Sequence, residues 1–479
     1  MRWTPKHDVA LLVAVALGVG TGCSPHAVRQ DPTPSVEAPA SYGAASTRDA
    51  TGAEASVDRW WTEFSDPQLD ALVAQTLEGN LDLQASWLRL QQAEALAEQQ
   101  GARFWPQVSL EAQRSVTRTD IRDLTSQTTH NWQVSLPATF ELDLWGRVAS
   151  NVKAAELDAS AARDDVSTIA ITLSAQTTEQ WFGVLELRER KRLLNEQVDI
   201  NRKWLEVLEA RFGYGRASAL DVLQQREQIQ GLEAQLLLVD AQEESALLRL
   251  TVLAGKLPGQ ATFGAGDRLP ALPPLPSSGV PADLLDRRPD LQAARKRVEA
   301  SDHRVAAAVA DYLPTLRIGG NLLVSAMSLS EMFDMLISTA FVSLGVPILD
   351  GGNRAANIDR AELVVRAQLL SYTQTFLTAV QDVESALLLE RQQQKNVEAV
   401  TRQLDLSRAT LDAARIRYRD GGEDFLRVLV ALQAVQRNEQ SLVSAHRQLL
   451  SYRIQLYRAL GGSWPQDLER PDADAEEAR

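Results

Sequence analysis

Between Gly351 and Gly462 the chain has no proline, and its apolar residues return at every seventh position. Leu369, Phe376, Val383, Val397, Leu404, Leu411 and Tyr418 form one ladder, interrupted only by Glu390. Past Arg419-Asp420-Gly421-Gly422 a second ladder runs through Val428, Val435, Leu442, Leu449 and Leu456. A seven-residue repeat keeps one seam of a helix against a partner and predicts a left-handed coiled coil. The first helix covers about 65 residues, roughly 100 Å at the helical rise. Upstream the period changes to two. Trp132, Val134, Leu136, Ala138, Phe140, Leu142 and Leu144 alternate with Gln133, Ser135, Pro137, Thr139, Glu141 and Asp143, and before them Val108, Leu110, Ala112 and Val116 make one face. Such alternation fits a membrane-spanning barrel strand, and it fits a half-buried strand of a soluble sheet equally well.

The same plan is written twice. Asp82-Leu83 and Phe104-Trp105-Pro106 recur as Asp290-Leu291 and Tyr312-Leu313-Pro314 at an offset of 208. Arg211-Phe212 and Leu220 to Leu223 recur as Arg417-Tyr418 and Leu426 to Leu429 at an offset of 206, and Val222, Ile229, Leu236 and Leu250 repeat the second ladder. The chain is a tandem repeat. Each unit reads as helix, two strands, long helix, tip, long helix. Strands are expected near 107–119, 131–144, 315–326 and 338–349, with tips at 213–218 and 419–424. Repeat 1 is expected over 58–255 and repeat 2 over 283–462, joined by a linker over 256–282 that holds Pro258, Pro270, Pro273, Pro274, Pro276 and Pro281. An acidic flexible tail is expected over 463–479. Four strands cannot close a membrane barrel, whose minimum is eight. If these strands span a membrane, several chains share one barrel, and three would supply twelve strands and twelve long helices.

Composition changes the picture at the ends. With 479 residues and 44% of them hydrophobic, the chain can bury a large core. A formal charge of -14 argues against a nucleic-acid partner. Arg2 and Lys6 precede an apolar run from Val9 to Val19, small residues at Gly20-Thr21-Gly22, and Cys23, which is the only cysteine. This is a secretory signal over 1–22, too short to span a membrane. A lone cysteine in that place resembles the lipobox of bacterial lipoproteins, which implies a diacylglycerol and a fatty acid on Cys23. Gly20 stands where that motif usually has leucine, and Ser24 is compatible with sorting to the outer membrane. Residues 23–57, rich in Pro, Ala, Ser and Thr, read as a lipidated flexible tether.

The segment from Trp60-Trp61-Thr62-Glu63-Phe64 through Asp66-Pro67-Gln68-Leu69, with Asn80-Leu81-Asp82-Leu83 after it, resembles the start of the outer-membrane efflux factors. These are the TolC-like and OprM-like proteins, and the likeness is in particular to the NodT-type lipoprotein branch serving resistance-nodulation-division (RND) pumps. Arg288-Pro289-Asp290-Leu291 resembles that family's second-repeat opening. Arg211 to Gly215 with Ser218 to Leu223 resembles its tip motif. The resemblance implies a mainly α-helical fold with transmembrane β-structure. Three chains would share a 12-stranded outer-membrane barrel and a 12-helix periplasmic coiled-coil barrel. It also implies a homotrimer in outer-membrane lipid, a periplasmic adaptor, an inner-membrane RND transporter, and no cofactor beyond the lipid. The duct would pass small molecules out of a Gram-negative cell.

At the first tip, Gly213 and Gly215 can supply positive φ cheaply, and Ser218 is an N-cap candidate with Asp221 at N3. The resemblance makes Tyr214, Gly215, Ser218, Leu220, Asp221, Val222 and Leu223 the adaptor-contact edge, joined at the second tip by Gly421, Gly422, Phe425 and Leu426. Glu423 and Asp424 are expected in the first turn of the last helix, where its dipole favours carboxylates. In three copies they would ring a closed end. Many family members carry an aspartate where this chain has Val430, so the gate candidates are Glu423, Asp424, Arg427 and Val430.

No catalytic set appears. The five histidines are scattered, and Gly255-Lys256 lacks the glycine and the hydroxyl residue of a phosphate loop. The chain reads as a non-enzyme. The rival is a lipid-anchored periplasmic coiled coil or adaptor with soluble sheets and no pore. Exit ducts of type I secretion or metal-efflux systems share the same scaffold.

Overall fold

The computed structural model describes residues 25–43, 59–121, 125–259, 264, 266–276, 278–461 and 468. Cys23, the signal region, the tail expected over 463–479 and the end of repeat 2 at Gly462 lie outside the described residues, except for residue 468. The elements are α1 (Pro67–Gly79), α2 (Leu81–Gly101), β1 (Gln107–Val108), β2 (Glu111–Ile121), β3 (Thr125–Leu142), α3 (Arg147–Gly213) and α4 (Ala219–Leu253). The second half adds α5 (Leu284–Arg287), α6 (Pro289–Ala310), β4 (Thr315–Ala326), β5 (Leu336–Gly345), α7 (Asn353–Arg419) and α8 (Phe425–Leu460). The helices α3 and α7 have 67 residues each.

The two compact units of the fold cut across the two sequence repeats. Unit 1 comprises Met1–Ser35, Arg89–Arg163 and Ala293–Thr373, and unit 2 comprises Val36–Leu88, Asp164–Gln292 and Gln374–Arg479. Each unit takes the same portion from both repeats.

Unit 1 is built around an antiparallel sheet in which β3 pairs with β1, β2 and β4, and β4 pairs with β5. Its strands differ from the sequence expectation where prolines intervene. Pro137, with no N–H to donate, stands opposite Ser109, and the first strand is split there into β1 and β2. Pro347 follows β5, which runs over Leu336–Gly345 rather than 338–349. β3 starts at Thr125, earlier than 131, because a polar ribbon paired with β2 leaves no hydrophobic alternation to read. Asp143, expected inside the strand, caps α3 by accepting from the Val148 and Ala149 amides at 3.0 and 2.8 Å. Between α6 and α7, Val305, Ala308 and Ala361 form a small core. His26 and the Arg29 amide hold Asp302 at 2.9 and 2.6 Å, and the Ser35 amide donates to Thr373 at 3.0 Å.

In unit 2, Asp66 caps α1 by accepting from the Gln68 and Leu69 amides, with Pro67 pre-set at the first helical position. α1 itself was not expected from the sequence. Trp60 stacks on Tyr457 at 5.2 Å, Phe64 meets Phe182 edge-on at 4.9 Å, and the Trp181 indole donates to Asp66 at 2.7 Å. The ladders are core: Phe376, Val383, Leu404, Leu411, Tyr418, Val428, Val435, Leu449 and Leu456 are buried, and Val397 and Leu442 are half-buried, as is Leu369 in unit 1. Between α3, α4 and α8 the seam becomes an amide network. Gln225 donates to both oxygens of the buried Asn201, and Gln433 donates to Gln228 at 2.7 Å.

Two segments expected to be loose are docked. Tyr42, within the expected tether, is 3% exposed, and the Gly43 amide donates to Glu384 at 2.5 Å. In the expected linker, the carbonyls of Gly264 and Gly266 accept from Arg188 at 2.7 Å, and those of Pro273 and Pro274 accept from Arg453. Backbone that lacks sheet or helix partners is thus satisfied by arginines.

Candidate functional site

Two surfaces carry the chemistry. The first is the sheet of unit 1. Residues directly opposite in an antiparallel pair share a face, and here they match in sequence parity. Val134 faces Ala112 and Val324, Leu136 faces Leu322, Phe140 faces Ile318, and Leu316 faces Leu344. Every even-numbered strand residue therefore lies on one side. Over β3 from Trp132 to Leu142 and over β4, this side carries only apolar side chains and Gly320. Leu136, Leu322, Leu336, Val342 and Leu344 are exposed on it. The odd side is mostly polar on β3 and β4, with Pro137 and Leu323 the apolar exceptions, and is internally bonded; β5 adds Ile337 and Phe341 to it. Ser325 donates to Asn131 at 2.8 Å, and Arg147 donates to Glu141 at 2.7 Å with Arg317 at 3.6 Å on its other oxygen. Phe341 folds over Gly319, where a Cβ would collide with its ring. The sheet has two open edges: β2 pairs only with β3, and β5 only with β4. An exposed apolar face with a polar reverse side is what a lipid-facing barrel wall requires. Among the described residues, no helix is long and apolar enough to cross a membrane.

The second surface is the pair of tips in unit 2, and the repeat builds them alike. The Arg216 amide donates to the Arg211 carbonyl and the Gly422 amide to the Arg417 carbonyl, both at 2.9 Å. Each is the six-to-one bond of a Schellman ending, around Gly215 at φ 69° and Gly421 at φ 79°. Gly213, expected to share this role, is instead the last helical residue of α3. Ser218 and Asp221 form a reciprocal capping box, with Ser218 Oγ accepting at 3.1 Å and Asp221 Oδ2 at 2.8 Å.

The second tip corrects the expectation for Glu423 and Asp424. Asp424 is the extended N-cap of α8 with no side-chain cap bond, and Glu423 precedes it, so neither sits in the first turn. The reason is Phe425. It is 1% exposed and wedged against Tyr418 at 5.7 Å and Trp204 at 5.9 Å, which fixes where the helix begins. Glu423 is held between Arg417 at 3.4 Å and Arg427 at 3.5 Å.

Burial also divides the expected contact residues. Tyr214 is 84% exposed, and Gly215, Ser218, Leu220, Leu223, Gly421, Gly422 and Leu426 are exposed as well, as are Arg427 and Val430. Asp221 is half-buried. Val222 and Phe425 are buried in the tip core, so they brace the surface rather than present it. Sequence reasoning missed Phe212, which is exposed although its repeat counterpart Tyr418 is buried. It also missed the latch beneath the tips. Arg211 lies 4.4 Å over Tyr418 and Arg415 lies 5.7 Å over Trp204, beside a groove of about 480 Å³ that Lys203 and Arg419 also line. The signal was present as Trp204 and Arg415, but nothing in their spacing announces that they meet.

Residues 72–256 and 280–462 match the family described as outer membrane efflux protein. The chain is 30% identical over 476 residues to the pyoverdine export outer membrane protein OpmQ of Pseudomonas putida, covering 97% of this chain and 98% of that protein. It is also 30% identical over 421 residues to the toluene efflux pump outer membrane protein TtgI of Pseudomonas putida, covering 84% of this chain and 86% of the relative. Among solved structures, the outer-membrane channel OprN superposes with a TM-score of 0.85 at 27% identity, over 92% of this chain and 100% of that one.

Proposed function

Because this chain belongs to the outer membrane efflux protein family and is an outer-membrane channel through which efflux systems discharge, we propose how its surfaces complete that channel. It is a passive duct, not an enzyme. Three copies close one barrel: the β2 edge of each pairs with the β5 edge of the next, giving twelve long strands. The carrying observation is that a sheet with one apolar face, exposed at Leu136, Leu322, Leu336, Val342 and Leu344, has two open edges. In hydrocarbon each unpaired backbone group costs several kcal/mol, and closure with neighbours removes that cost. The long helices α3, α4, α7 and α8 of three copies line the periplasmic tube.

At the tips, exposed Tyr214, Leu220, Leu223 and Leu426, with Phe212, receive a periplasmic adaptor that links the duct to an inner-membrane RND transporter. Arg427 and Val430, both exposed at the start of α8, form the closed aperture, with Glu423 holding Arg427 in place. Cys23 carries the diacylglycerol and fatty acid, which places the chain in the NodT-type lipoprotein branch; the lone cysteine after an apolar run supports this. The cargo is small molecules selected by the pump, since relatives named for pyoverdine and for toluene align with 97% and 84% of this chain.

The test is assembly. In detergent the protein should run as a heat-modifiable trimer, and cysteines placed on β2 and β5 should crosslink between copies. A lone, water-soluble rod once the lipid is removed would refute the closure. Loss of labelled fatty acid in Cys23→Ala tests the anchor separately.

A further inference from the structure

We propose that the outward rim of the β2–β3 hairpin binds the phosphates of the phosphorylated glycolipid in the outer leaflet of the membrane. The inference rests on the outer-membrane reading above. On the apolar side of β3, Trp132 is the last apolar residue, and the next positions on that side are His130, Thr128 and Ser126. The register sets Arg114 opposite Trp132, Val116 opposite His130 and Arg118 opposite Thr128. Both arginines therefore project from the lipid-covered side of the wall, not from its polar reverse.

The placement is selective. Among the described residues, the apolar side of β1, β3, β4 and β5 carries no charged residue from Trp132 down, and the charges on β2 begin at Arg114. A cation facing lipid is costly at the midplane and tolerated near the interface, where tryptophan also prefers to sit. The Arg114 guanidinium lies 4.9 Å over the Trp132 ring, so it is held at the level where the apolar band ends. Arg118 is four residues further along, about 14 Å at the strand rise. It is well exposed and is met by Asp120 at 3.2 Å, the one acid on that side of the hairpin among the described residues. The other hairpin has no such rim. Beyond β4 it exposes Met327, Leu329 and Phe333, and its ionisable residues Glu331 and Asp334 are acidic.

Guanidinium forks match phosphate oxygens bidentately, which an ammonium does not. Two of them at this separation suit a disaccharide headgroup phosphorylated at both ends better than a lipid with one phosphate. The occupant is thus the diphosphorylated glycolipid, docked with its acyl chains along the apolar band and its phosphates on Arg114 and Arg118.

The experiment reconstitutes the full-length trimer in phosphatidylcholine vesicles doped with diphosphoryl lipid A, dephosphorylated lipid A or phosphatidylglycerol. Enrichment of each lipid around the protein is read by fluorescence transfer. Wild-type protein should enrich diphosphoryl lipid A over the other two. Arg114→Gln with Arg118→Gln should lose about fivefold per guanidinium removed, while Arg114→Lys with Arg118→Lys should recover only part of it. Equal enrichment in wild type and the Gln variant, or no preference over dephosphorylated lipid A, overturns the site while insertion into plain phosphatidylcholine leaves the channel reading intact. Failure to insert into any vesicle overturns both.

Discussion

Glu390 stands where its ladder calls for an apolar side chain, and it is 2% exposed. Its partner is Arg453, 1% exposed, with Nε donating at 2.9 Å and Nη2 at 2.5 Å in a bidentate pair. The remaining Nη1 donates to the carbonyls of Pro273 and Pro274. One pair therefore joins α7 to α8 and clips the segment between the repeats. Removing one member leaves an uncompensated buried charge, so Glu390→Ala should cost about 3–5 kcal/mol. Replacing both by methionine should cost far less, and thermal unfolding followed by helicity would separate the two. The tips give a second residue-scale case. A Cβ at Gly215 meets no atom within 4 Å, but Gly215→Val forces a branched residue to φ 69°, at about 1–2 kcal/mol. Trimer yield should hold while export falls, measured as substrate retained by cells. Gly215 and Gly421 were legible because turns advertise glycine. Glu390 was legible as an exception, but its partner was not, since Arg453 lies 63 residues away.

Elements were readable wherever a period ran unbroken, and obscure where one side chain overruled it. Asn80 and Arg288, equivalent at the offset of 208, show both sides of this. Asn80 caps α2 and donates to the Leu253 carbonyl at 2.9 Å, whereas Arg288 donates to the Ala459 carbonyl at 3.2 Å. The same closure is made by different chemistry, so the motif repeats but the contact cannot be copied from one repeat to the other. Helix α6 has a pH response of its own. Burial lowers the His303 pKa below its ordinary 6.5, and nearby Lys153 adds to this, although Glu299, Asp302 and Glu156 oppose it. Between the lowered and the ordinary value the unfolded chain holds the extra proton. Stability therefore rises with pH through that window and is lost as pH falls through it. His303→Gln should flatten this slope, so its melting temperature should drop less than wild type between pH 7.5 and about pH 5.

For the whole molecule, the sequence indicated strands and their side, while closure depends on edges that only the sheet order reveals. The docked stretches at 25–43, 264 and 266–276 were unreadable because irregular backbone bonded to distant side chains leaves no period. The sidedness is testable. Leu322→Arg, on the exposed apolar side, should lose about 2–4 kcal/mol of membrane stability, seen as a smaller heat-modifiable fraction. Gln133→Arg, on the reverse, should insert normally. The same alternation governs how the chain can change length. Between α2 and α6 the repeats are offset by 208, and between α3 and α7 by 206, so two residues were gained or lost across the strands. Inside a strand, a change of one would turn the remainder inside out and put its glutamines and serines against hydrocarbon. A single-residue deletion within β3 would therefore be harsher than removing two.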